Sequence, residues 1–213
     1  AQNFIERFEA TDSSTISDIL SKWTIYVFPG INLDGIADGV GVGYGQTNLG
    51  DNGSFGRCFY NGLDPNRNWA GNFKVDSSVR NKTGSIPFQA IELKNLRDCL
   101  RSNRSTSGKN VLLDIHGWYN TTYGDYSVAK YYISGMNLGN NTGTYGSGYL
   151  MNWANNPTTE STDENASNQA GIGADAVSLV ELKPTIDYSI NKIENDYGLQ
   201  FYNSTMNLLK EYN

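Results

Sequence analysis

The sequence predicts an α/β fold, a mixed and partly parallel sheet flanked by helices, and three observations carry that reading. Two short apolar runs, Val111-Leu112-Leu113-Asp114-Ile115 and Ala176 to Leu182, are of the length and β-branched character of buried strands. Pro87 to Leu100 places Phe88, Ile91, Leu93, Leu96 and Leu100 near helical spacing, with proline at the start. Strands that alternate with helices build sheets with parallel members.

The remaining elements follow in chain order. Residues 3–9 read as the tail of an amphipathic helix with Phe4, Ile5 and Phe8 on one face. A start in mid-helix implies that the natural protein begins earlier, so the fold is expected to be N-terminally truncated. Ser13 or Ser14 caps a short helix through Leu20. Trp23 to Phe28 reads as a strand closed by Pro29-Gly30. Residues 30–62 are rich in glycine and lack periodicity, the mark of a long functional loop. A Ser/Asn/Gly turn spans 102–108. Loops with a helical segment around Val128–Ile133 fill 119–148, and a polar loop spans 154–171. After Pro184 a helix carries Ile186, Ile190 and Ile193, followed by a stretch with Phe201, Met206 and Leu209. With no internal repeat and no linker, residues 1–213 read as a single domain.

Composition narrows the function. The net charge is −6 and no Lys/Arg cluster exceeds a pair, which excludes a nucleic-acid partner. No apolar stretch approaches a membrane span. Only 18% of residues are charged, and Asn, Ser, Thr, Gly and Tyr fill the polar share, a surface typical of secreted, extracellular proteins. Cys58 and Cys99 can form one disulfide or remain thiols, and have no metal spacing.

The chemistry-bearing residues are few. Gly62-Leu63-Asp64-Pro65-Asn66-Arg67-Asn68-Trp69 sets an arginine between two asparagines after a turn-forming Asp-Pro. Arg67 is a planar five-donor fork suited to a carboxylate, and Asn66 adds donors or an acceptor. A surface loop with an incidental salt bridge is the plainer reading of such a run. The sequence has one histidine, His116, which follows an apolar run and is either a metal ligand or a hydrogen-bonded core residue. Glu181 closes the other apolar run. A carboxylate there is costly unless paired, for instance with Lys183, or put to use as a base. Together, a carboxylate grip, a metal-type histidine and a strand-end glutamate suggest a metal-assisted hydrolase acting at peptide termini.

The order Asn32-Leu33-Asp34-Gly35, then Gly62 to Trp69, then Ile115-His116-Gly117, then Val180-Glu181-Leu182 resembles the zinc carboxypeptidases of the carboxypeptidase A type, peptidase family M14. The resemblance implies a metallocarboxypeptidase that hydrolyses the peptide bond next to a free C-terminal carboxylate, with Zn2+ as cofactor. It makes His116 the third zinc ligand and Glu181 the base that activates zinc-bound water. Arg57 would polarise the scissile carbonyl, and Asn66 and Arg67 would bind the terminal carboxylate. Asp64 would accept a hydrogen bond from the first zinc histidine. Tyr145 would close over the substrate, with Tyr149 competing for that place, and Met151 would line the side-chain pocket.

The sequence departs from the family in lacking the His-x-x-Glu pair that supplies the other zinc ligands. A missing N-terminal segment, a complementary chain, or loss of the metal would each account for this. The implied partner is a peptide with a free C-terminus, with bacterial cell-wall peptides as one substrate class. The alternative is a metal-free relative that only binds carboxylates.

Overall fold

Helices open the chain where amphipathic spacing meets a strong cap. In the computed structural model, which describes residues 2–32, 58–59, 62–78, 82–117, 119–141, 146–159, 161, 163, 165–182 and 192–212, α1 runs Gln2–Glu9 and α2 runs Ser13–Lys22. The cap of α2 is Asp12 rather than Ser13 or Ser14. Its carboxylate accepts from the Ser14 hydroxyl at 2.6 Å and from Thr15 N–H at 2.8 Å. Those hydrogen bonds, Ser14 first, hold its pKa down at about 2. A carboxylate both satisfies helix N–H groups and meets the positive end of the helix dipole, where a serine does only the first.

The predicted strand at Trp23–Phe28 is irregular chain instead. Its apolar residues are real, but a strand exists only as part of a hydrogen-bonded ladder, and among the described residues none forms there. Tyr26, Val27 and Phe28 are exposed. Trp23 turns inward, its indole N–H donating to the Leu209 carbonyl at 2.8 Å.

The chain divides into two compact units, one of Ala1–Pro29, Leu113–Gly143 and Ser178–Asn213, the other of Gly30–Leu112 and Thr144–Val177. Four strands form a sheet in the order β1-β4-β2-β3, with β1 Val111–Gly117, β2 Thr121–Gly124, β3 Gly139–Asn141 and β4 Ala176–Leu182. β2 runs antiparallel to β4, with Thr121 opposite Glu181, and parallel to β3, with Thr121 opposite Gly139. This is the predicted α/β architecture, a mixed, partly parallel sheet with helices. β4 matches its predicted bounds. β1 extends to Gly117 and is only half buried, Ile115 being exposed. β2 and β3 escaped the sequence reading because they are short and rich in Thr, Gly and Asn, with no apolar signature.

In the first unit α4, Tyr126–Met136, packs on α6, Leu199–Glu211, which follows a π-helical stretch at Lys192–Gly198. Gly135 lets the two helices approach, since a Cβ there would run into Ser204. Tyr132 hydrogen-bonds Thr205 at 3.0 Å, and burial pushes its phenol pKa well up. α4 ends on Asn137 in the left-handed conformation, φ 53°, which asparagine tolerates. A core of Ile19, Met206 and Leu209 is covered by Phe8, Trp23, Ile25 and Tyr202. The helix predicted from Pro184 lies outside the described residues up to Asn191.

In the second unit α3 spans Ile91–Asn103 and α5 spans Leu150–Asn155. α3 begins four residues after Pro87 because Phe88 sits at φ 54° and turns the chain before the helix. Trp69, Phe88 and Trp153 form an aromatic trio with ring centroids 5.2–5.7 Å apart. Arg97 lies over Phe88 and Arg101 over Trp153, at 4.9 and 5.6 Å from the ring centroids. Both cysteines are free thiols. Among the described residues no helix is long and apolar enough to cross a membrane.

Candidate functional site

The Asp64–Trp69 segment of the second unit has no regular secondary structure and is held by side chains instead. Asp64 is fully buried and accepts from Asn66 N–H at 2.9 Å, while Arg67 N–H donates to the Asp64 carbonyl at 3.0 Å. This is an Asx turn that presents Asn66 and Arg67 at its crest. Asn68, also fully buried, acts as a rivet. Its amide donates to the carbonyls of Thr83 at 2.5 Å and Ile86 at 2.8 Å, and its side-chain oxygen accepts from Ala90 N–H at 3.1 Å. Its carbonyl accepts from Phe88 N–H at 2.7 Å. The two asparagines flanking Arg67 therefore do different work, and only the second is core.

Arg67 is half-buried with its guanidinium 4.1 Å from the Tyr149 ring centroid. One nitrogen donates to the Asn66 carbonyl at 2.7 Å, and no carboxylate among the described residues forms an ion pair with it. Asp76 feels its field, but that carboxyl is held below the ordinary range first by hydrogen bonds from Ser78 and only then by Arg67. Leu63, Val75, Asp76, Lys82, Ser85 and Gln89 line a hollow of about 360 Å³ in the same unit. Met151 is 2% exposed, within α5.

The other chemistry lies in the first unit. His116 is the penultimate residue of β1 and Glu181 the penultimate residue of β4, its neighbour in the sheet. Residues two apart on a strand share a face, so Asp114 stands beside His116. His116 Nε2 and Asp114 Oδ1 lie 3.0 Å apart, a hydrogen bond in which the ring N–H donates to the carboxylate. The second oxygen, Asp114 Oδ2, is buried without a hydrogen-bond partner among the described residues. Glu181 is half-buried opposite Thr121. The structure thus sets His116 and Glu181 in one unit and Asp64, Asn66, Arg67 and Met151 in the other. Arg57 and Tyr145 lie outside the described residues.

Sequence reasoning passed over Asp114, Asn68 and Tyr149 in these roles. A charge interrupting the apolar run two residues before His116 was the available signal for Asp114. Nothing local marks Asn68 as a rivet, because its partners lie 15 to 22 residues away.

The family described as zinc carboxypeptidase, peptidase M14, matches residues 1–207. The chain belongs to this family. Among curated proteins, bacteriocin BCN5 of Clostridium perfringens is 28% identical over 193 residues, which cover 89% of this chain. The same match covers 19% of that relative, so the chain spans about a fifth of its length. No solved structure matches. The family is described as one of zinc carboxypeptidases and generally depends on zinc.

The described residues do not by themselves fit that ion. An imidazole backed by a carboxylate is the form a zinc ligand takes. Catalytic zinc, however, has three protein ligands. Among the described residues no group of three His, Cys, Asp or Glu side chains could hold a metal, and the sequence has one histidine.

Proposed function

We propose that this chain binds peptides by their free C-terminal carboxylate, through Arg67 and Asn66, and serves hydrolysis of the adjoining peptide bond. The observation that carries the reading is the state of Arg67: partly buried, stacked on Tyr149, and without an ion-pair partner among the described residues. Withdrawing a guanidinium from water without a counter-anion is costly, and a bidentate carboxylate is the ligand that best repays it. The family resemblance, and not any geometry between the two units, supports Glu181 as the base for water and Arg57 as the group that stabilises the developing oxyanion. Asp64 shapes the turn that presents the grip. The family resemblance assigns Tyr145 and Met151 to the substrate's terminal residue, and Met151 is buried within α5. His116 is the one histidine the sequence offers as a zinc ligand.

Titration calorimetry with acetyl-glycyl-phenylalanine as the acid and as the amide tests the grip. The acid binds more tightly, and Arg67→Ala removes about 10- to 100-fold of that preference, the cost of a lost charge-assisted pair. Equal affinity for acid and amide would refute it.

The single histidine favours a second reading, a metal-free carboxylate-binding module. Metal content of the whole gene product decides between the two. About one zinc per chain, with cleavage abolished by Glu181→Gln, supports the peptidase. No metal, with peptide-acid binding that resists a chelator, supports the module. The sparsely charged, Asn-, Ser-, Thr- and Tyr-rich composition supports a secreted protein, with cell-wall peptides as one substrate class.

A further inference from the structure

The geometry points to Tyr149 as the positioning residue of the carboxylate grip, an inference that rests on the reading of Arg67 given above. Arginine has a long, rotatable side chain, and a grip works best when its fork is already oriented. Here the fork has a floor: the guanidinium carbon lies 4.1 Å from the centroid of the Tyr149 ring. Stacking on an aromatic face fixes the plane of the guanidinium and covers one side of it, while the N–H groups point outward in that plane. One of them is taken by the Asn66 carbonyl at 2.7 Å, which fixes rotation within the plane. Among the described residues no partner takes the others, and their common edge has the spacing of a carboxylate.

The backbone explains why Tyr149 sits there. Gly148 N–H donates to the Gly71 carbonyl at 2.8 Å, and Trp69 N–H donates to the Gly148 carbonyl at 3.1 Å. These two bonds clamp the chain just before Tyr149 to the chain just after Arg67. Gly148 adopts φ +78°, and a Cβ there would run into the Arg67 carbonyl, so only glycine permits so close an approach. The following residue caps α5, where Trp153 N–H donates to the Tyr149 carbonyl at 3.3 Å. Tyr149 is thus anchored from both sides, by the clamp before it and the helix after it, and carries its ring against the arginine.

The test compares acetyl-glycyl-phenylalanine acid and amide on variants of the whole chain by titration calorimetry. Tyr149→Leu weakens the acid about three- to thirty-fold, the range of a cation–π contact, and leaves the amide unchanged. Tyr149→Phe restores the acid to within about two-fold of the parent. If the leucine variant does not fold, phenylalanines of rising fluorine content at position 149 take its place. Draining the ring face then weakens the acid stepwise, and a flat series overturns the proposal. Equal loss of acid and amide in Tyr149→Leu also overturns it, because the ring would then be only structural. Should Arg67→Ala abolish the acid preference while Tyr149→Leu leaves it intact, this proposal alone fails. An acid preference untouched by Arg67→Ala removes the grip itself.

Discussion

The arginine loop and the strand ends solve the same problem by different means. His116 and Glu181 are placed by a backbone ladder: β4 pairs residue for residue with β2, and Glu181 falls opposite Thr121 by register alone. Arg67 is placed by side chains. Asp64 caps its turn, Asn68 rivets it to Thr83, Ile86 and Ala90, and Gly148 locks it from the other side. A ladder spreads its hydrogen bonds over many interchangeable residues, whereas a riveted loop concentrates them in a few residues that have no substitutes. Substitutions should therefore hurt the loop more than the sheet.

The largest effect belongs to Asn68→Ala, which strands two carbonyls and one N–H in the interior. Urea unfolding will show a loss of about 3–5 kcal/mol. Gly148→Ala comes next, at roughly 2–4 kcal/mol, because alanine resists the left-handed backbone and its methyl meets the Arg67 carbonyl. Thr122→Val on the sheet side removes the bond from the Thr122 hydroxyl to the Gly139 carbonyl, 3.1 Å long, and costs about 1 kcal/mol by the same measurement. If Thr122→Val proves as damaging as Asn68→Ala, the contrast between ladder and rivet collapses.

The smallest effect lies at the exposed cap. Asp12→Ala lowers Tm by about 2–4 °C at pH 7, the typical loss of an N-cap in a chain of this size. The folded-state pKa of Asp12, about 2, lies below the ordinary carboxylate value near 4. Its contribution is therefore complete above about pH 4 and fades as pH falls towards 2. Melting curves of parent and variant should draw together through that range and meet only below the folded-state pKa, and a gap undiminished at about pH 2 would assign the effect to something other than the charge.

The same contrast explains what could be read in the sequence. Apolar runs announced β1 and β4 because burial on a sheet leaves a compositional imprint. α1, α2 and α3 were legible from their spacing. β2 and β3 carry no such imprint, and Trp23–Phe28 carries it without the ladder that would make it a strand. Helix starts slipped because Asp12 outcompetes the serines beside it and Phe88 turns the chain before α3. For the candidate site, residue types and family resemblance proposed Arg67, His116 and Glu181. The supporting contacts of Asn68, Asp114 and Tyr149 were hidden, since each depends on a partner that only folding brings near, or on a face shared along a strand.

The exposed apolar stretch at Tyr26–Phe28 bears on how the protein behaves in a tube. Sticky side chains on a segment outside any sheet invite a second molecule to line up alongside, so clouding should rise with concentration. A single lysine in place of Val27 would be the first remedy to try when preparing concentrated samples.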